Sequence, residues 1–366
     1  MKKILVLVVF FSSLGFAQKG DHHLSYAQGI MSGNRQHNFY YDANPLRSVK
    51  GIAWKFDTEG KGGNIPMVSN GVVYSGDDKG NFYAVDCITG KEIWHFKAGS
   101  KLHDGPSIWD KTAYIGTANG TVYAIDILTG QEKWTIQTGG SVCNPPALSD
   151  SLGFALSHDK RMYIFDLSTG RIRDTIAEDY VLCGTPTLFE DRAYYPDWGG
   201  SFHCRNLLTG KTEWIFKTGT PSKWFSSPSI SDSIAYFVNF DSTLYAITIK
   251  DGKEKWRFKS DGKISRAPSI SADLMVFATS ESHVYAIKRN SGKMLWNYQA
   301  TGTSWSYPVI VRDVVYYGCG NGKLYAFDIN SGEILWVFKT DNPVNTPVFE
   351  GNAIYFTSGQ SIIKII

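Results

Sequence analysis

The sequence predicts an all-β fold, an eight-bladed β-propeller with four-stranded antiparallel blades in which an N-terminal strand closes the C-terminal blade. Three observations carry this expectation. A phrase centred on Trp, "YAVDCITGKEIWHF" in one unit and "YAIDILTGQEKWTI" in the next, recurs at a spacing of 40 residues. Each unit holds four short runs of β-type residues separated by Gly, Asp, Asn or Ser turns, with no helical period. The last unit stops before its Trp strand, while the first Trp strand arrives without the strands that should precede it.

The marker positions are Trp54, Trp94, Trp134, Asp174, Trp214, Trp256, Trp296 and Trp336, with a single step of 42 among steps of 40. Four strands per unit of about 40 residues is the pattern of a propeller blade. Within a unit, an inner strand follows a Pro, a second is of the "VVYSG" type, a third of the "LYAFD" type, and the Trp strand is outermost. Antiparallel alternation then places the connections from Trp strand to Pro, and the turns between second and third strands, on one face. The Thr-Gly hairpins, such as Thr89-Gly90 and Thr129-Gly130, fall on the opposite face. "IAWKF" at 52–56 supplies the strand that "TPVFEGNAIYFTSGQSIIKII" lacks, so the ring closes without an exposed sheet edge.

Residues 1–17 read as a cleaved signal peptide: Lys2 and Lys3, an apolar run too short to span a bilayer, then Gly15-Phe16-Ala17. No Cys follows the cleavage site to accept a lipid, so a periplasmic or secreted protein without a lipid tether is expected; a monomer is expected as well. Residues 18–51 form a leader expected to pack on the propeller, whose repeats occupy 52–366. A formal charge of +3, from 37 basic and 34 acidic residues, lacks the basic excess of a nucleic-acid binder. Five cysteines without a CxxC spacing give no sign of a zinc cluster, and no metal is expected. Nor is there a GxSxG, HExxH or GxxxxGK[ST] motif.

The motifs resemble the pyrroloquinoline-quinone-type propeller repeat, Ala-x-Asp-x-x-Thr-Gly-x-x-x-Trp, matched by Ala84, Asp86, Thr89, Gly90 and Trp94 and again by Ala124, Asp126, Thr129, Gly130 and Trp134. The resemblance implies one of two roles. One branch of the family comprises quinone- and calcium-dependent dehydrogenases, which are longer, carry insertions and, in the alcohol-oxidising members, have adjacent cysteines. The other comprises non-catalytic propellers such as the subunit of the outer-membrane β-barrel assembly machinery. With bare 40-residue blades and no adjacent cysteines, this chain is expected to resemble the second branch: a non-enzymatic envelope scaffold without cofactor. The alternative is a quinone-dependent or carbohydrate-directed propeller using the same loops.

The repeated Trp54, Trp94, Trp134, Trp214, Trp256, Trp296 and Trp336 read as framework, each ring packing between blades and over a turn Gly. Recognition is expected where blades differ, on the loops before each Pro and the second loop set of the same face. The candidates there are His103, Asp104, Asn144, Trp198, Trp224, Phe225, Arg266, Trp305, Tyr307 and Asn345, a mixture suited to a protein partner or a polar or carbohydrate ligand. Carboxylates in the second loop set, Asp77, Asp159, Asp197 and Asp241 among them, could converge on calcium or simply hold turns. Lys61, Lys101 and Lys263 share one register on this face, with Lys223 nearby. Cys143 and Cys183 stand at equivalent positions of adjacent units and could pair as a disulfide.

Overall fold

The computed structural model describes residues 39–41, 43–62, 64–221, 226–264 and 266–366; the expected signal peptide, most of the leader, and Lys223, Trp224 and Phe225 lie outside the described residues. Eight sheets form the ring, each a four-stranded blade and one with a fifth strand added, and the described residues contain no helix. The first blade shows the plan, with strands Met67–Ser69, Val72–Gly76, Asn81–Asp86 and Glu92–Lys97, each antiparallel to the next. Numbering the blades in chain order, blades 2 to 7 occupy 107–137, 147–177, 187–217, 229–259, 269–299 and 309–339.

Burial explains the residue choice strand by strand. The two middle strands are covered on both faces by neighbouring blades, so Val72–Gly76 and Asn81–Asp86 are almost wholly buried and read as continuous β-branched, aromatic and small residues. The outer strand Glu92–Lys97 alternates exposed and half-buried positions, as a strand with one sheltered face should. The hairpin between them is held by Asp86, whose Oδ1 accepts from Thr89 N at 2.7 Å and Thr89 Oγ1 at 2.8 Å. Gly90 follows at φ +69°, a left-handed conformation that favours glycine. A register shift between Glu92 and Trp94 then turns the indole toward the next blade.

The eighth blade is sewn from both ends of the repeat region. Ile52–Asp57 pairs antiparallel with Ser361–Ile365, placing Trp54 opposite Lys364 and Phe56 opposite Ile362. Val348–Glu350 and Ala353–Ser358 complete it toward the axis. The closure expected from the truncated last unit is therefore the one observed.

The described part of the leader packs against blade 7. Tyr40–Tyr41 pairs in parallel with Val309–Val311, the innermost strand of blade 7, as a fifth strand on its axial side. Phe39 is 1% exposed there and stacks on Tyr307 with ring centroids 3.9 Å apart. The chain then reaches the Thr-Gly face, where Leu46 O accepts from Trp336 Nε1 at 2.8 Å and from Tyr316 Oη at 3.0 Å, and Arg47 pairs with Asp313. The physical reason is the free axial edge of the inner strand: it offers unpaired backbone groups that an extended segment satisfies without needing an apolar period of its own.

Candidate functional site

The two loop sets of the mouth face are joined by the backbone. Asp78 N donates to Lys61 O, Ala118 N to Lys101 O, His158 N to Ser141 O, Trp198 N to Val181 O and Ser280 N to Lys263 O, all at 2.7–3.0 Å. Each of these bonds ties a turn between second and third strands to the loop that enters the same blade. The side chains of Lys61, Lys101 and Lys263 point outward from this frame and are exposed.

The carboxylates of the second loop set are engaged within or between neighbouring blades. Asp77 Oδ2 accepts from Gly60 N, Asn81 Nδ2 and Tyr83 Oη at 2.9–3.1 Å. Asp159 and Asp241 accept from Tyr163 and Tyr245 at 2.6 and 2.7 Å, and Asn321 takes the acidic position beside Tyr325. In blade 4 His203 replaces that tyrosine and its Nε2 lies 2.7 Å from Asp197 Oδ2. The recurring acid–tyrosine pair holds a turn.

Toward the axis the candidates separate into three places. Asp104 is 7% exposed; it accepts from Gly105 N at 3.0 Å and from Asn144 Nδ2 at 2.9 Å. Burial raises its carboxyl to about 6, against the opposing pull of Arg266 and these hydrogen bonds. Arg266 reaches in from the loop before blade 6, donates from Nε to Trp305 O at 2.8 Å, and lies over the Tyr307 ring 5.1 Å from its centroid. Tyr307 in turn is bonded to Ser226 Oγ at 2.9 Å. Asp104, Asn144, Arg266 and Tyr307 thus belong to one axial network.

Trp305 stands on the rim, 51% exposed, its ring 6.4 Å from that of Phe240, over which Lys263 Nζ lies at 5.7 Å. Asn345 belongs to neither place: its Nδ2 donates to Gly62 O at 3.0 Å and to Thr357 Oγ1 at 2.8 Å, within the seam of blade 8.

The third place gathers Cys143, Cys183 and His158. Cys143 Sγ, Cys183 Sγ and a His158 ring nitrogen all lie within 4.8 Å of one another, and Cys143 Sγ is 3.5 Å from His158 Nε2. Ser141 Oγ is 3.3 Å from the same sulfur, and Trp198 packs on the imidazole at 5.1 Å between centroids. Both cysteines are thiols in this structure. A hydrogen bond from the Cys183 thiol, aided by His158 and Ser141, lowers the Cys143 thiol; its counterpart, together with burial, raises Cys183. Hydrogen bonding to Cys143 raises His158, whereas burial lowers the neighbouring His103. The 40-residue equivalence of Cys143 and Cys183 is the signal the sequence offers for this pair; no spacing joins His158 to them.

The fold and this face define a propeller of blades of 40 residues, one step being 42, with its candidate recognition residues on one mouth. Its sequence matches, over residues 50–177, 86–223 and 199–365, the family described as outer membrane protein assembly factor BamB, and the chain belongs to that family. Among solved structures, BamB from Moraxella catarrhalis is similar at 16% identity with a TM-score of 0.74, covering 86% of this chain and 99% of that one. Quinohemoprotein alcohol dehydrogenase from Comamonas testosteroni is similar at 12% identity and TM-score 0.77, covering 92% and 80%. A europium-containing methanol dehydrogenase is similar at 14% identity and TM-score 0.72, covering 91% and 90%. These likenesses are of fold. No curated protein sequence matches the chain significantly.

Proposed function

We propose that the chain is a non-enzymatic, exported scaffold of the cell envelope that docks protein partners on its mouth face, in the service of outer-membrane protein assembly. The observation that carries this reading is the rim of Trp305, Phe240 and Lys263, where a half-exposed indole stands beside an aromatic ring and a cation. Trp is among the residues most enriched in protein-binding hot spots. The family membership supports a protein partner in particular.

Quinone and calcium chemistry is less well served by the residues present. On the axial side of blade 7, the space is taken up by Phe39 stacked on Tyr307. Calcium needs six to eight oxygen ligands. The mouth carboxylates Asp77, Asp159 and Asp241 each hold a turn of their own blade. Among the described residues no helix is long and apolar enough to cross a membrane, and the reading needs none.

The test is a photo-crosslinking amino acid placed at Trp305 in the native envelope, with Leu128, 65% exposed on the Thr-Gly face, as control. Crosslinks from Trp305 alone to components that assemble outer-membrane β-barrels are expected. Quinone absorbance and dye reduction after reconstitution with pyrroloquinoline quinone and calcium would overturn the reading. A saturable change in tryptophan emission with glycans, lost in Trp305→Ala, would redirect it to carbohydrate binding.

A further inference from the structure

We propose that Cys143, Cys183 and His158 form a binding site for a thiophilic d10 cation, Zn²⁺ or Cu⁺. The set offers two sulfurs and an imidazole nitrogen with no carboxylate among them. That donor set favours zinc or cuprous ion and disfavours calcium and magnesium, which bind oxygen.

The spacing suits such an ion. Bonds of about 2.3 Å to sulfur and about 2.0 Å to nitrogen in a tetrahedron put neighbouring ligand atoms roughly 3.3–3.8 Å apart. The observed 3.5 Å from Cys143 Sγ to His158 Nε2 lies on such an edge, and the remaining separations, all below 4.8 Å, need only a small inward rotation of side chains.

The ligands are also held by rigid backbone. Val142 N donates to Thr117 O at 3.0 Å and His158 N to Ser141 O at 2.9 Å, fixing the backbone on both sides of the Cys143–His158 pair. Cys183 follows Leu182, which bridges to Asp197, and Val181, which accepts from Trp198 N. Trp198 covers the imidazole and Ser141 Oγ approaches the Cys143 sulfur, so the groups around the ligands are ordered as well. Three protein ligands leave a tetrahedral ion one further position.

The experiment uses the exported chain, fully reduced with a phosphine and stripped of metal. It is titrated with Zn²⁺ against a chromophoric chelator and, in a second arm, anaerobically with Cu⁺ against a cuprous chelator. One equivalent is expected to bind in at least one arm, and the arm that saturates names the ion. Cys143→Ser and Cys183→Ser should weaken binding at least ~100-fold, beyond the 10–100-fold typical of changes outside the ligand shell. Cys204→Ser should leave it unchanged.

Bound ion should also slow alkylation of Cys143 and Cys183, but not of Cys87, Cys204 or Cys319, as read by peptide mass mapping. His158→Gln, checked for native circular dichroism, keeps the test open if a cysteine variant fails to fold; it too should weaken binding. The proposal falls if the reduced protein takes up neither ion stoichiometrically, or if uptake and alkylation are unaffected by these substitutions.

Discussion

Phe39 lies nearly parallel to Tyr307, with 3.9 Å between ring centroids and 19° between planes, so a residue from the leader forms part of the propeller's axial core. Both side chains are buried to within 1%. Truncating an aromatic ring in such a setting costs about 3–5 kcal/mol. Phe39→Ala is expected to lower stability by about 3 kcal/mol with an unchanged urea m-value. A loss below about 0.5 kcal/mol, the range of surface substitutions, would show that the leader does not contribute to the core in solution.

The repeated tryptophans act from one blade on the next. An added Cβ at Gly130 would sit 2.7 Å from the Trp94 ring, whereas at Gly210 it would meet nothing within 4 Å, because Asp174 stands where the preceding blade would carry Trp. Both glycines have positive φ, +71° and +66°. Gly210→Ala should therefore lose only the left-handed backbone cost of about 1–2 kcal/mol, and Gly130→Ala about 1–3 kcal/mol more from overpacking. Conversely, Asp174→Trp should place an indole over the open glycine and stabilise by about 1 kcal/mol. Equal denaturation midpoints for the two alanine variants would sink this account.

That contrast also shows what the sequence made legible. Trp94, Gly130 and Asp126 recur because each obeys a local geometric demand that every blade repeats, so counting them yields strand order, faces and the seam. The axial path of Phe39, Tyr40 and Tyr41 was not legible, because parallel pairing with Val309–Val311 lies more than 260 residues away and leaves no period in the leader. The meeting of His158 with Cys143 and Cys183 depends on the curvature that brings three separate loops together, which no spacing encodes. Asn345 was legible as a mouth-face residue by register, but not its amide's bonds to Gly62 and Thr357, which join the two ends of the ring.

The seam makes the ring depend on its last residues. Ser361–Ile365 is the only strand hydrogen-bonded to Ile52–Asp57 among the described residues, and its other neighbour is Ala353–Ser358. A chain ending at Gln360 would leave both with unpaired edges, one of them carrying Trp54 and Phe56. We expect concentration-dependent association on size-exclusion chromatography and rapid proteolysis between 39 and 60, neither of which the full chain should show. A monomeric, protease-resistant truncation would mean that the eighth blade closes by other contacts.

Asp104 gives the axial network a pH dependence whose sign can be isolated. Burial raises its folded carboxyl from 3.8 to about 6, so the folded state holds a proton that the unfolded chain has already released over that interval. Its contribution is fully present below about pH 4 and is lost as pH rises through about 6. A rise of that size corresponds to about 3 kcal/mol at most. Asp86 and Asp126 titrate the other way: hydrogen bonds from Thr89 hold Asp86 low, while Lys133 and turn amides hold Asp126 low against burial, so their support fades as pH falls. The informative quantity is therefore the difference between wild type and Asp104→Asn, which keeps the shape and the acceptor for Asn144 but cannot ionise. At pH 4 the two should have similar urea midpoints, and at pH 7.5 the variant should be more stable, by about 1–3 kcal/mol. A difference that stays constant across this range would mean that Asp104 is solvated in the folded protein and that Arg266 does not face a buried carboxylate.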